Sequence, residues 1–195
     1  MARTKAFDES LAIDQAMNLF WEQGYEATSV RDLSMETGIG ISSLYNAFGD
    51  KHNVYGAALE RYGEMERKQF AADLASGRPI KALLDEMFAN LIDTLLADDG
   101  SRGSFTLNAA IELGGRDPAI TRRLRAHFGA ISDLLAERLG AAQKAGEIPF
   151  AAPPLELANY LLLGLYSLAV MVKIMPDRAR LEAMAAITLS VLDQP

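Results

Sequence analysis

Apolar residues recur at helical spacing along nearly the whole chain, and this pattern limits the fold more than any other feature. No stretch of alternating, β-branched residues lies between turn signals, as a strand would require. Glycine and proline divide the chain into segments of helical length. The pattern predicts an all-α protein of about nine helices. They are expected over residues 8–23, 29–38, 41–48, 51–74, 79–97, 103–113, 117–145, 154–175 and 177–192.

The composition indicates a soluble protein without a metal or redox site. Half of the 195 residues are apolar and 23% are charged, which is enough apolar surface for a core. The chain has no cysteine, and its two histidines, His52 and His127, are too few for a metal cage. Residues 1–10 lack the apolar core of a secretory signal, and the most apolar stretch, 161–172, is shorter than the about 20 residues of a membrane span. We therefore expect a cytoplasmic protein with no metal, cofactor or membrane contact.

Two short predicted helices joined by a tight turn lie in residues 30–48. Gly38 falls in the turn, where a positive φ is needed, and apolar residues on both sides would hold the helices at a steep angle. Ser42, Ser43 and Asn46 project from the outer face of the second helix, where short polar side chains can meet base edges or phosphates. The spacing alone fits a DNA-binding helix-turn-helix and an ordinary helical hairpin equally well.

Three segments resemble the N-terminal domain of the TetR/AcrR family of transcriptional regulators. They are FWEQGYEATSVRDL at 20–33, TGIG at 37–40 and SLYNAFGDK at 43–51. The resemblance covers about the first 60 residues, and the remainder is similar only in length and helical layout. It implies a three-helix helix-turn-helix DNA-binding domain in residues 1–55 and a larger helical ligand-binding and dimerisation domain in residues 56–195.

The resemblance also implies roles for individual positions. Contacts with backbone phosphate would come from Thr28, Ser29, Tyr45 and Lys51. Base edges would be read by Arg31, Ile41, Ser42, Ser43 and Asn46. Arg31 suits a bidentate contact with guanine, and Asn46 suits a pair of hydrogen bonds to adenine.

Two features depart from the family pattern. Many members have a basic or polar residue at the position of Ile41, which would either contact a thymine methyl or pack inward. The chain has a net charge of −7, and its first 68 residues hold 7 Lys and Arg against 11 Asp and Glu. Residues 39–48 contain no charged side chain. We therefore expect modest non-specific DNA binding with a shallow salt dependence, because few phosphates are neutralised.

The resemblance implies that the helices from residue 79 onward enclose a small-molecule pocket and that the last two helices form a homodimer interface. Residues 155–175 are apolar on nearly every side, which fits burial both within a domain and against a partner. Asn90, Asn108 and His127 are the strongest polar candidates for the pocket, because buried polar groups need partners. The apolar candidates are Met87, Phe88, Leu91, Phe105 and Phe128.

Other classes of function have less support. Gly49 and Leu124 lie three places before the two histidines, so the Glu-x-x-His pairs of a di-iron bundle enzyme are absent. Phosphate-loop, zinc-protease and nucleophile-elbow motifs are absent as well, and we expect no enzyme. The sequence predicts a repressor that binds a palindromic operator as a homodimer and is released by a small-molecule effector. The alternative is a small-molecule-binding protein of the same fold with weak or lost operator recognition.

Overall fold

The computed structural model describes residues 7–97, 102–149 and 152–193. Within these ranges the chain forms nine α-helices and one short 3-10 helix, without a strand, so the all-α prediction is confirmed. The helices are α1 (Glu9–Gln23), α2 (Val30–Thr37), α3 (Ile41–Phe48), α4 (Lys51–Leu74), α5 (Ile80–Ala97), α6 (Phe105–Leu113), α7 (Pro118–Ala145), α8 (Pro154–Met171) and α9 (Arg178–Leu189), followed by the 3-10 helix (Ser190–Asp193).

Two predicted helix ends near the C-terminus are wrong. α8 ends at Met171 instead of residue 175, and the N–H groups of Lys173 and Ile174 bond back only three residues, in tighter turns. Pro176 then prevents the helix from continuing beyond these turns, because proline lacks an N–H and disfavours a helical conformation in the residue before it. α9 ends at Leu189, three residues before the predicted end, and the chain continues as the 3-10 helix.

The chain divides into two compact units. The N-terminal unit comprises Met1–Glu66 and Ser104–Arg125, and so contains α1 to α3, most of α4, α6 and the start of α7. The C-terminal unit comprises Arg67–Gly103 and Ala126–Pro195. The boundary between functional domains at residue 55 stays a prediction.

Aromatic side chains form the centre of the N-terminal unit. The buried ring of Tyr55 on α4 packs edge-on against Phe20 of α1, with ring centroids 4.9 Å apart, and against Phe105 of α6, at 5.5 Å. The ring of Tyr25, just after α1, also lies 4.9 Å from Tyr55. Burial raises the pKa of the Tyr55 hydroxyl well above its ordinary value. One aromatic cluster therefore joins α1, α4, α6 and the turn that follows α1.

Aliphatic side chains fill the C-terminal unit, and a glycine allows its last helices to approach closely. The buried cluster contains Leu74, Ile80, Leu83, Leu84, Ile131, Leu135, Leu139, Ala142, Ile148, Leu157, Ala158, Leu161, Leu162 and Leu192. A Cβ at Gly164 of α8 would lie 2.3 Å from Cγ2 of Thr188 on α9. Glycine at this position is therefore required for the observed packing of α9 on α8.

One helix in the described part of the chain, α8, is long and apolar enough to cross a membrane by length and composition alone. Its 18 residues have a mean hydropathy of 1.3, and a core helix of a soluble protein passes the same test. Leu157, Leu161 and Leu168 of this helix are buried in the C-terminal unit, whereas Leu163 and Tyr160 are exposed. The helix thus has one face inside its own unit and an apolar face outside it.

Glu147 stabilises the start of α5. Its Oε2 atom accepts hydrogen bonds from the backbone N–H of Ile80 and from the guanidinium of Arg138, both at 3.0 Å. Arg138 also donates to the carbonyl oxygen of Arg78 at 2.9 Å. The N–H of Ile80 and then the Arg138 guanidinium lower the pKa of the Glu147 carboxyl. The ionised form of Glu147 therefore contributes to stability.

We predict that Glu147→Gln lowers the free energy of unfolding at neutral pH, because the amide loses the charge that binds Ile80 and Arg138. In the unchanged protein, the ionised Glu147 carboxylate makes its full contribution to the free energy of unfolding above its ordinary pKa of 4.5. This contribution is lost as pH falls through the lower pKa that the carboxyl has in the folded state. The difference in free energy of unfolding between the unchanged protein and Glu147→Gln should therefore decrease on acidification. Urea unfolding at several pH values measures it, with the exposed Glu137→Gln of α7 as control. A difference independent of pH would contradict the prediction.

Candidate nucleic-acid interface

The outer face of α3 carries most of the side chains predicted to read bases. Ser42, Ser43 and Asn46 are exposed, and Tyr45 is 44% exposed on the same helix. Leu44 points the other way and is buried. The helix period of 3.6 residues separates these two faces, so one apolar anchor leaves a polar, uncharged surface to solvent.

Ile41 begins α3 and is 38% exposed. The sequence left open whether this side chain packs inward or contacts a thymine methyl. In the free protein it is accessible at the start of the helix, where an apolar contact with a base can form. Gly40 precedes it at the N-cap without a side-chain cap, and the first turn of α3 has no acidic residue.

A left-handed residue and two hydroxyl groups hold α2 against α3. Gly38 has a φ of 66° at the end of α2, which favours glycine. The hydroxyl of Ser34 donates to the carbonyl oxygen of Ile39 at 2.7 Å, and the N–H of Ile39 donates to Oγ1 of Thr37 at 3.3 Å. Leu33, Ile39 and Leu44 are buried at this corner. The two helices are therefore locked to each other by both packing and hydrogen bonds.

Ser29 and Asp32 form a capping box at the start of α2. The N–H of Ser29 donates to Oδ2 of Asp32 at 2.8 Å, and the N–H of Asp32 donates to Oγ of Ser29 at 3.2 Å. The hydrogen bond from the Ser29 hydroxyl, followed by that from its N–H, lowers the pKa of Asp32. Ser29 and Arg31 both have exposed side chains at this end of the helix. The structure thus brings two predicted DNA contacts together beside α3.

Thr28 and Lys51, two of the residues implied to contact phosphate, have internal partners. Thr28 is fully buried, and its hydroxyl donates to the carbonyl oxygen of Gly24 at 2.7 Å. Nζ of Lys51 donates to the carbonyl oxygens of Tyr25 and Thr28, at 2.7 and 2.9 Å, and lies 4.1 Å from the centroid of the Tyr25 ring. We therefore expect both side chains to support the turn between α1 and α2 rather than to serve mainly as phosphate ligands.

Glu112 of α6 supports the same turn, although no sequence pattern indicates it. Its Oε2 atom accepts the N–H of Tyr25 at 2.9 Å, and its Oε1 atom accepts the N–H of Glu26 at 2.8 Å. Tyr25 and Glu26 lie 87 and 86 positions before Glu112 in the chain. A single glutamate in an amphipathic helix gives no local signal of such a partner, so only the folded structure reveals it.

The predicted pocket residues of the C-terminal unit differ in exposure. Phe88 is buried and Met87 and Leu91 are half-buried on α5, but Asn90 is exposed, so the expectation that it is a buried polar group is wrong. The reason is that position 90 falls on the outer face of α5, opposite Phe88 and Ile92.

His127 and Phe128 belong to a chain of contacts in the same unit. His127 is buried, and its Nδ1 atom accepts a hydrogen bond from the Arg67 guanidinium at 3.2 Å. The ring of Phe128 packs edge-on against those of His127 and Tyr166, with centroids 5.2 Å apart in each pair. Their part in ligand binding stays a prediction.

Phe105 and Asn108, also predicted to line the pocket, are residues of the N-terminal unit. Phe105 is buried in the aromatic cluster beside Tyr55 and Tyr62, and Asn108 is half-buried on α6. Packing against two tyrosines accounts for the burial of Phe105 without a ligand.

Comparison with known proteins gives matches over both parts of the chain. A family model described as bacterial regulatory proteins of the tetR family matches residues 12–58, and one described as the tetracyclin repressor-like C-terminal domain matches residues 81–188. The chain is 29% identical over 194 residues to YezE of Bacillus subtilis (strain 168), an uncharacterized HTH-type transcriptional regulator, covering 99% of this chain and 100% of that protein.

Two further relatives carry a described function. The chain is 32% identical over 160 residues to the HTH-type transcriptional repressor ComR of Escherichia coli (strain K12), covering 82% of this chain and 76% of ComR. Its structure is similar to that of a cysteine mutant of the TetR family transcriptional regulator CifR complexed with 26bp double-strand operator DNA. The TM-score is 0.83 at 28% identity, covering 96% of this chain and 98% of CifR.

We predict that Lys51→Met lowers the free energy of unfolding by roughly 1–3 kcal/mol, because two backbone carbonyl groups lose a charged donor. Urea unfolding measures the change, and the exposed Lys68→Met on the same helix is the matched control. An unchanged free energy of unfolding, together with weaker binding to DNA, would instead assign Lys51 to phosphate.

Proposed function

Because the chain belongs to the TetR family of bacterial transcriptional regulators, we propose that this DNA-binding regulator is a homodimeric repressor that leaves its operator when a small-molecule effector binds. The observation that carries the proposal is the exposed, uncharged face of α3 next to the capped start of α2. Two curated relatives besides ComR are also described as repressors, which supports repression. The relatives are regulators and not enzymes, and we propose a cytoplasmic, non-enzymatic role for this chain.

The face of α3 divides into residues that position the protein and residues that read sequence. Tyr45 would donate its hydroxyl to a phosphate, and Ser29 would do the same from α2. Asn46 would bond the N6 and N7 atoms of an adenine, and Arg31 the O6 and N7 atoms of a guanine. Ser42 and Ser43 suit short hydrogen bonds to base edges, and Ile41 suits a thymine methyl.

Dimerisation through α8 and α9 is supported by apolar side chains that the C-terminal unit leaves exposed. Leu163 of α8 is 66% exposed and Ile187 of α9 is 70% exposed, and Tyr160 lies one turn from Leu163. Pairing of two such helices from each chain would give a four-helix interface. Two recognition helices about 34–36 Å apart would then meet successive major grooves of a palindromic operator.

Release by an effector requires that the ligand bind one conformation of the protein more tightly than the other. The effector would bind in the C-terminal domain and favour a conformer whose recognition helices do not fit the operator, and linkage limits its effect to this difference in affinity. α4 contributes residues to both units and is the proposed connection. An apolar or amphipathic effector suits Met87, Phe88, Leu91 and Phe128.

Selection of binding sites from a random DNA pool with the purified protein at low salt tests the proposal. We expect enrichment of an inverted repeat whose half-sites are separated by about one helical turn. An enriched single half-site would contradict the homodimer. A folded protein that enriches no sequence would favour the alternative, a ligand-binding protein of this fold, which the acidic surface of the N-terminal domain also allows.

We predict that Tyr45→Ala and Asn46→Ala weaken DNA binding in different ways. Loss of a phosphate contact at Tyr45 should reduce affinity for all duplexes by a similar factor, whereas loss of the amide at Asn46 should relax the preference at one base pair, worth about 1–3 kcal/mol. Titration of each variant against the operator and its single-base variants measures the two patterns. If both substitutions changed affinity by the same factor at every duplex, this division of roles would be wrong.

A further inference from the structure

The turn between α1 and α2, residues 24–29, decides where α2 begins, yet it makes few hydrogen bonds of its own. Gly24 ends α1 with a φ of 82°, and its N–H donates to the carbonyl oxygen of Phe20 at 2.8 Å. The buried hydroxyl of Thr28 bonds the Gly24 carbonyl. The N–H groups of Tyr25 and Glu26 instead find their partner on α6, far away in sequence.

Glu112 binds these two successive N–H groups with its two carboxylate oxygens. Successive backbone N–H groups that point the same way form a small anion-binding concavity, and here the anion is a side chain of the protein itself. Both contacts are shorter than 3 Å, as expected for hydrogen bonds to a charged acceptor. A Cβ at Gly24 would also lie 3.2 Å from Oε2 of Glu112, so glycine leaves room for the carboxylate.

Lys51 holds the same turn through its carbonyl groups. Its ammonium group accepts no hydrogen bond and donates to the carbonyl oxygens of Tyr25 and Thr28. The turn is thus bound by a carboxylate from α6 at its N–H groups and by an ammonium from α4 at its carbonyl groups. The positions of α6 and α4 fix the backbone that leads directly into Ser29, the N-cap of α2.

We propose that Glu112 is a positioning residue for operator binding. It would act through the backbone of Tyr25 and Glu26, without touching DNA, by holding the start of α2 in the place from which Ser29 and Arg31 reach the operator. Because α2 and α3 are locked together at Gly38, a shift of α2 also moves α3. This inference rests on the proposed operator binding.

The sign of the expected effect separates positioning from simple electrostatics. Removing a negative charge from a DNA-binding protein should by itself strengthen binding to the polyanion. Glu112→Gln removes that charge at nearly constant volume, but it also turns an amide NH2 group toward a backbone N–H, so one of the two hydrogen bonds is lost. Positioning by Glu112 therefore predicts weaker operator binding, opposite to the effect of charge alone.

The experiment compares full-length wild type, Glu112→Gln and Glu36→Gln, an exposed glutamate on α2 that undergoes the same change of charge. Operator affinity is measured by fluorescence anisotropy, with the active fraction taken from stoichiometric titration. For Glu112→Gln we expect an affinity for the operator lower by about tenfold, because loss of a hydrogen bond to a charged group reduces the fraction of the protein whose turn is in the binding conformation. The loss for random duplex should be smaller. Glu36→Gln should bind as tightly as wild type or more tightly.

Hydrogen exchange of the Tyr25 and Glu26 amides, followed by NMR, supplies a readout that does not depend on DNA. Faster exchange at these two amides in Glu112→Gln, with the α4 amides unchanged, supports the proposal together with the affinity loss. Glu112→Asp, which keeps the charge but shortens the side chain, replaces the glutamine variant if that variant fails to fold, and the same losses are expected.

Three outcomes would overturn the proposal. They are unchanged exchange at both amides, an operator affinity equal to or above that of wild type, and a loss that falls equally on operator and random duplex. If wild type itself binds no operator, the proposed function fails and the positioning role fails with it. The exchange data would then still show whether Glu112 holds the turn.

Discussion

The surface offered to DNA depends on a turn that is held by two opposite charges. Glu112 binds its N–H groups and Lys51 its carbonyl groups, and the aromatic cluster around Tyr55 packs beside it. Thr28 is buried and Tyr25 is half-buried, and backbone groups shielded from water need such partners, because an unpaired N–H or C=O group costs about as much as a lost hydrogen bond. With the turn fixed, the capping box at Ser29 sets the start of α2, and Gly38 then sets the direction of α3. The turn thus determines the position of α2, and α2 determines the position of α3.

Three carboxylates of this acidic chain are engaged at the starts of helices. Asp8 accepts N–H groups at the start of α1, Asp32 caps α2, and Asp117 accepts the N–H groups of Ala119 and Ile120 at the start of α7. The N–H of Ile120 is the main reason for the low pKa of Asp117, which also bonds His52. These carboxylates complement the positive ends of helix dipoles. α3 differs from these helices, because Gly40 leaves its N-terminal N–H groups without a side-chain cap.

Local signals in the sequence predicted the helices and the exposed face of α3, and these predictions were confirmed where punctuation is strong. Gly24, Gly38 and the Asp117–Pro118 pair mark helix ends because each has a conformational or capping reason to be there. The sequence could not reveal the roles of Glu112 and Lys51, whose partners are backbone groups of another segment. The sequence also could not show that Asn90 is exposed, because helical spacing does not indicate which polar positions a neighbouring helix covers.

The lack of charge on α3 gives a physical reason for the dimer that we propose. A half-site bound by hydroxyl, amide and apolar contacts gains little from counterion release, so a single domain should bind weakly. Linking two such domains makes the second contact intramolecular and multiplies the affinity by an effective concentration rather than by new charges. The hydrogen bonds from α6 and α4 to the turn before α2 are therefore needed in both protomers, because both recognition helices must fit their grooves at the same time. An acidic protein therefore depends on the accurate placement of its recognition helices more than a basic protein would. Pairing through the exposed apolar faces of α8 and α9 would supply that placement by fixing the two protomers relative to each other.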